Sequence, residues 1–317
     1  MPTPNTEPFY LDFYVRGGST RAHLIDEYGD PYALRRWTTW LRLRSDLRLA
    51  ALITCRDHNE LPGIPVGYFA ARPDSTSFDH IRHAIESVNW PMLPRPTGGH
   101  ISADQLRIRY RCGRLLIDRT FNALSENFIA AIEPVVTRLY ELIARLQRDP
   151  IGVLDLQPKI TADSEDPRSR LCHFVLTNIG SGELVLTDPR VPVVDPEQPP
   201  RARLLVAPPA AHDLADPPWT DLPLPPLPAG EPEVITLSPG ARFELSVPWQ
   251  APRPGPYLLS ARWEDYAGPL QAAPGQLAFM PVRECGDIQS LPIAPYPVRG
   301  ATTSYAVPFE IPDSAFR

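Results

Sequence analysis

The chain has 317 residues, 43% of them hydrophobic, enough to bury a sizeable core and long enough for two domains of ordinary size. Residues 1–150 carry 19 Arg against 17 Asp plus Glu, and residues 151–317 carry 12 basic residues against 20 acidic ones, so neither half is a polycation. That balance disfavours nucleic-acid binding, and no apolar run approaches the length of a membrane span.

Lys159 is the only lysine beside 30 arginines, a skew that codon usage in a GC-rich genome produces, so arginine counts are discounted before they are read as function. Codon bias acts on the whole chain and does not explain why 12 prolines fall in residues 1–150 and 29 in residues 151–317. The asymmetry predicts a boundary there, with one domain over 1–150 and another over 151–317. Cys55, Cys112, Cys172 and Cys285 are far apart and lie in or beside apolar stretches, as buried free thiols of a reducing compartment do. Met1 to Pro8 is polar, without a basic region leading into an apolar stretch. These features predict a bacterial cytoplasmic protein.

In chain order, FYLDFYVR (9–16) alternates with Phe9, Leu11, Phe13 and Val15 on one face, the period of a strand. From Tyr32 to Ile53 a short helix is expected, with Leu34, Trp37 and Leu41 as its stripe, and then a hairpin turning at Ser45-Asp46. VGYFAA (66–71) reads as a strand. Ser75 to Val88 reads as an amphipathic helix, with Phe78, Ile81, Ala84, Ile85 and Val88 as its apolar stripe and Asn89-Trp90-Pro91 as its stop. A second hairpin runs from Leu106 to Phe121 with its turn near Gly113. Ser125 to Arg148 is the clearest helix, with Ile129, Ile132, Val136, Leu139, Ile143 and Leu146 spaced to face one way and Pro134 expected to kink it or remove one bond. This half reads as α+β, an antiparallel sheet with two covering helices.

The second half reads as strands: CHFVLTN, an Ile-Gly-Ser-Gly turn, ELVLTD, then ITLSPGARFELSVPW and GPYLLSARW. The tail, 266–317, is proline-rich with strand-like pieces at Gln276–Val282 and Thr302–Phe309, expected to complete the second domain or wrap onto the first. The turns Thr177-Asn178-Ile179-Gly180, Leu237-Ser238-Pro239-Gly240 and Pro254-Gly255-Pro256-Tyr257, each between strands, resemble bacterial immunoglobulin-like or fibronectin-III-like sandwich domains over roughly residues 152–265. The resemblance implies an all-β sandwich that binds or spaces rather than catalyses, an immunity, inhibitor or adaptor protein whose partner is another protein, with no cofactor. Pro189 to Pro232, with 14 prolines in 44 residues, interrupts the pattern. It is expected to be neither helix nor central strand but an extended polyproline-type loop, either a stiff connector or a docking ligand through Pro223, Pro225, Pro226 and Pro228.

No phosphate-cradling glycine loop, Gly-x-Ser-x-Gly elbow, His-Glu-x-x-His or Cys-x-x-Cys occurs, which removes the easily recognised enzyme classes. Two constellations remain. Asp79, His80 and His83 sit one turn apart on a predicted helix, with His100 after Gly98-Gly99; they read as a metal site of a hydrolase or as solvated surface residues. Arg42, Arg44 and Arg48 in one hairpin and Arg107, Arg109 and Arg111 in the other lie opposite apolar residues. If the hairpins share a sheet, six guanidiniums line one face, either for an acidic protein surface or nucleic acid, or as a solvated face neutralised by Asp46, Asp104 and Asp118.

Overall fold

The alternation of β1 (Phe9–Arg16) turns Phe9, Leu11 and Phe13 into a core and Tyr10 and Asp12 to the opposite face, and its partners repeat the pattern. The computed structural model describes residues 9–16, 38–44, 49–55, 65–93, 105–122, 126–163, 165–193, 200–208, 217–265, 294–298 and 300–316. The chain divides into two units, one of Met1–His58 with Tyr68–Ile151 and the other of Asn59–Gly67 with Gly152–Arg317. Among the described residues the protein is mostly β with two α-helices, mixed α+β overall.

In the first unit β1 is followed by β2 (Thr38–Arg44), β3 (Leu49–Cys55), β4 (Val66–Ala71), helix α1 (Ser75–Ser87), β5 (Gln105–Cys112), β6 (Leu115–Asn122) and helix α2 (Glu126–Leu146). The strand order is β4-β3-β2-β1-β5-β6, with β1 antiparallel to both β2 and β5. Both expected hairpins are present, and Gly113 supplies the positive φ of 54° at the tight turn between Cys112 and Leu115. Residues 32–37 and the Ser45-Asp46 turn lie outside the described residues. Leu41, which fits both the helical stripe and the start of the alternation, is in a strand, where it pairs with Phe13 of β1 and Leu52 of β3.

On the core face Leu11, Leu41, Leu43, Ile108 and Tyr110 are fully buried. Helix α1 packs Phe78 edge-on against Phe9, with ring centroids 5.7 Å apart. It starts at Asp74, whose Oδ1 accepts from the Ser77 N–H at 2.7 Å, and that hydrogen bond holds the Asp74 carboxyl below its ordinary range. It ends where Trp90 donates its indole N–H at 2.7 Å to the Ile85 carbonyl, which also accepts the Val88 N–H at the C-cap. Helix α2 buries Ile132, Val135, Leu139, Leu142, Ile143 and Leu146, a stripe at three- and four-residue spacing, while Val136 is only half-buried. Pro134 stands inside it on the exposed side, and the helix runs on through it.

The second unit continues with β7 (Pro150–Ala162), β8 (Ser169–Asn178), β9 (Leu184–Thr187), β10 (Ala202–Ala207), β11 (Thr220–Leu222), β12 (Val234–Leu237), β13 (Arg242–Gln250), β14 (Gly255–Asp265), β15 (Tyr296–Pro297), β16 (Gly300–Thr303) and β17 (Val307–Ile311). Its strands lie in the orders β13-β8-β7, β12-β9-β15 and β11-β10-β14-β16, with β17 also on β14. Side chains from all of these sets meet in one core that includes Leu156, Phe174, Leu186, Leu204, Leu245, Leu259 and Trp263, the last fully buried. Cys172 lies in that core, and burial pushes its thiol up to about 11. On the opposite face of β8, His173 ties three strands, its Nε2 3.0 Å from Thr161 Oγ1 and its Nδ1 2.9 Å from Ser246 Oγ and 2.6 Å from Glu244 Oε1.

The Pro189–Pro232 expectation needs correction, because Ala202–Ala207 is a central strand between β11 and β14. The reason is local: ARLLVA contains no proline, so every residue keeps its N–H, and Ala202, Leu204, Leu205, Val206 and Ala207 are buried. In the tail, Gln276–Val282 lies outside the described residues, and the expected Thr302–Phe309 piece is two strands rather than one. Between them Ser304 donates its N–H to the Ala261 carbonyl and its Oγ accepts the Ala261 N–H at 2.8 Å, so a side chain completes the ladder where the backbone breaks. Gly67 is required by space: its φ is +143°, and a Cβ there would stand 2.1 Å from the Gly152 carbonyl oxygen.

The turn after β8 does not close a hairpin; β8 pairs with β7 and β13, whereas β9 pairs with β12 and β15. Asn178, fully buried, holds this crossing. Its Nδ2 donates to the Gly182 and Leu237 carbonyls at 2.8 Å each, and its Oδ1 accepts from the Gly180 N–H at 2.9 Å. Its backbone carbonyl accepts from Gly240 and its N–H donates to Ala241, which fixes the Ser238-Pro239-Gly240 turn against it. Asn178→Ala leaves these buried partners unmatched, and the expected loss is about 3 kcal/mol in urea unfolding of the second unit. Asn178→Asp keeps only the acceptor and should be no better. A change for Ala within about 0.5 kcal/mol, the range of an ordinary surface substitution, would show that the amide does not carry the crossing.

Candidate functional site

Proline has no N–H, so the chain leaves the ladder at Pro223, directly after Leu222 pairs with Leu204. Over the next six residues Pro223, Pro225, Pro226 and Pro228 are exposed, while Leu224 and Leu227 are half-buried, with Leu224 packed on the core. Both ends are clipped by ion pairs. Ahead of the segment Arg203 takes Asp221 in a fork, Nε to Oδ1 at 2.8 Å and Nη2 to Oδ2 at 2.7 Å. Behind it Arg190 Nη2 reaches Glu231 Oε2 at 2.7 Å, and the Glu231 N–H donates to the Pro228 carbonyl.

Arg190 is itself held by Asp188, whose carboxylate is fully buried: Nε to Oδ1 is 3.0 Å, Nη2 to Oδ2 is 2.8 Å, and the Arg190 N–H also donates to Oδ1. Asp188 first and Glu231 second raise the guanidinium's pKa above its ordinary value, and the Phe243 ring lies 5.6 Å below it. The result is a rib with Leu224 packed on the core, Leu227 half-buried, its prolines exposed and an ion pair at each end. The proline residues were legible in the sequence; the Arg203–Asp221 and Arg190–Glu231 pairs were not, because their partners stand 18 and 41 residues apart.

The two arginine-bearing hairpins share one sheet, but β1 runs between them and places Asp12 opposite both Arg42 and Arg109. Arg42 Nε donates to Asp12 Oδ1 at 2.9 Å, Arg44 Nη2 lies 3.7 Å from the same oxygen, and the Arg44 guanidinium covers the Tyr10 ring at 4.9 Å. Arg42 and Arg44 are therefore largely buried, with 12% and 22% of their side chains exposed, and do not form an open row. Arg109 is 3.5 Å from Asp118 and half-buried, and Arg111 is exposed. The side chains of Arg48 and Arg107, and Asp46 and Asp104, lie outside the described residues. The alternation of FYLDFYVR does put Asp12 on this face; what it lacks is the strand order.

His80 and His83 line a groove of about 420 Å³ between α1 and α2, together with Ser87, Glu133, Thr137 and Glu141. Asp79 turns instead to Arg82 at 3.1 Å, and Arg138 closes on Glu141 at 2.8 Å. His100 is outside the described residues, and among the described residues no three His, Cys, Asp or Glu side chains gather closely enough to hold a metal ion. Glu133 and Glu141 come to the histidines through helix packing, which residue spacing on one helix does not reveal.

The buried clamp gives a stability prediction. Asp188→Ala leaves the Arg190 guanidinium without its main partner and should cost about 3 kcal/mol in urea unfolding, whereas Asp221→Ala, at an exposed pair, should cost about 0.5 kcal/mol. Equal effects would contradict the assignment of Asp188 as the main anchor.

No protein-family model matches the chain, and a search of curated proteins finds no match.

Proposed function

We propose that this chain is a non-enzymatic protein-binding protein of a bacterial cytoplasm, an immunity, inhibitor or adaptor protein, whose second unit is an immunoglobulin-like or fibronectin-III-like sandwich. The sandwich reading is supported by strands of the β7-β8-β13 set and of the β10-β14 set contributing to one core, and by the Asn178 crossing, which carries the chain from one set to another. The binding reading rests on one observation: four prolines are turned to solvent on a segment whose leucines and flanking ion pairs fix it. A segment already ordered in the free protein loses little conformational entropy when a partner docks on it.

The alternatives draw less support. A metal-dependent hydrolase would use His80 and His83, yet Asp79 is engaged by Arg82. A nucleic-acid surface would use the arginine rows, yet Arg42 and Arg44 are turned onto Asp12 and Tyr10.

A photo-crosslinking amino acid at exposed Ala229, just beyond Pro228, and at exposed Gln157 on β7 tests the reading in cells that express the protein naturally. The expected result is a discrete adduct with another protein from position 229 and none from position 157. Absence of any protein adduct from either position would overturn the binding function.

A further inference from the structure

The exposure pattern of the rib repeats every three residues. Leu224 and Leu227, three apart, are the two half-buried positions; Pro223 and Pro226 are exposed, and so are Pro225 and Pro228. A polyproline II helix has three residues per turn and no internal hydrogen bonds, so residues three apart share one edge of a triangular prism. Among the described residues, the one backbone hydrogen bond that involves Pro223 to Pro228 closes the far end, Glu231 N–H to the Pro228 carbonyl. A strand would give a different period: Pro223, Pro225 and Leu227 would share a face, yet the first two are exposed and the third is half-buried.

We infer that residues 223–228 form a polyproline II prism seated by its leucine edge, and that its two outward edges, Pro223/Pro226 and Pro225/Pro228, are a ligand for a partner with an aromatic-ridged groove. This rests on the protein-binding reading and names the chemistry of the partner. A groove built of parallel aromatic side chains takes two edges of such a prism and leaves the third free, and here the third edge carries Leu224, packed on the core, and half-buried Leu227. The stiffness of the proline backbone matters for the same reason: with Leu224 packed on the core and the Asp221–Arg203 and Glu231–Arg190 pairs at its flanks, the partner meets an extended ridge rather than a mobile tail. The flank beyond Pro228 is acidic, with Glu231 and Glu233 exposed, so the groove that fits best carries basic residues at that end.

The test uses the full chain against an array of SH3 and WW domains chosen to span acidic and basic flanks, with a free proline decapeptide as competitor. Binding to at least one domain is expected, displaced by the decapeptide. It should weaken about tenfold or more in Pro223→Ala/Pro226→Ala and in Pro225→Ala/Pro228→Ala, the scale of losing a central contact. Because all four prolines are exposed, both variants should unfold at the wild-type urea midpoint; if one does not, the decapeptide competition on the wild type decides. No binding to any domain, or binding that neither edge variant nor the decapeptide weakens, overturns the inference. A protein adduct at position 229 in cells together with a silent array overturns the groove chemistry alone and leaves the protein-binding reading standing.

Discussion

The buried amide of Asn178 is the tie on which the second unit depends. A chain that leaves one sheet to join another exposes backbone carbonyls and N–H groups at the crossing, and inside a core each must find a partner. Asn178 meets this demand from one position, with two donors and one acceptor on the side chain and both backbone groups engaged. With the crossing fixed, β12 can pair with β9 and β13 with β8, and Trp263 closes the core between them. Everything that displays the proline rib, including β10, β11 and the Asp188 clamp at the end of β9, is built on that arrangement.

Proline plays opposite parts in this unit, and the difference lies in the hydrogen-bond ladder. Pro158 and Pro248 are accommodated inside β7 and β13, where they stand opposite Phe174 and Leu171. From Pro223 onward the ladder stops, because four prolines in six residues leave too few N–H groups to continue it. The segment is then held by leucine side chains and by arginine ion pairs at its ends rather than by backbone pairing. Prolines that cannot pair are thereby left facing outward, so the feature that ends the strand also creates the exposed surface.

Elements with one buried face were legible in the sequence because one-sided burial writes its period into the residues. Phe9, Leu11 and Phe13 announce β1, and Phe78, Ile81, Ala84 and Ile85 announce α1. Other features were hidden by composition. β10 is a proline-free window inside a proline-rich stretch, and judging the stretch as a whole concealed it. β7 is hidden by Pro158 at its centre. Pairings across the fold were hidden for another reason: Asp12 meets Arg42 only because β1 inserts beside β2, and Glu231 reaches Arg190 only once the chain has turned back. Residue spacing contains no trace of either. The rib stands between these cases, since the three-residue spacing of Leu224 and Leu227 is written in the sequence, while its meaning requires a core for those leucines to enter.

The central claim is that the rib exists in the free protein with its leucines inward and two proline edges outward. Hydroxyl-radical footprinting of the chain alone, with each side chain normalised to its reactivity in the urea-unfolded state, reads this directly. Protection is expected at Leu224 and Leu227, and little or none at Pro223, Pro225, Pro226 and Pro228. Uniform reactivity across residues 223–228, or protection of the prolines instead of the leucines, would contradict it.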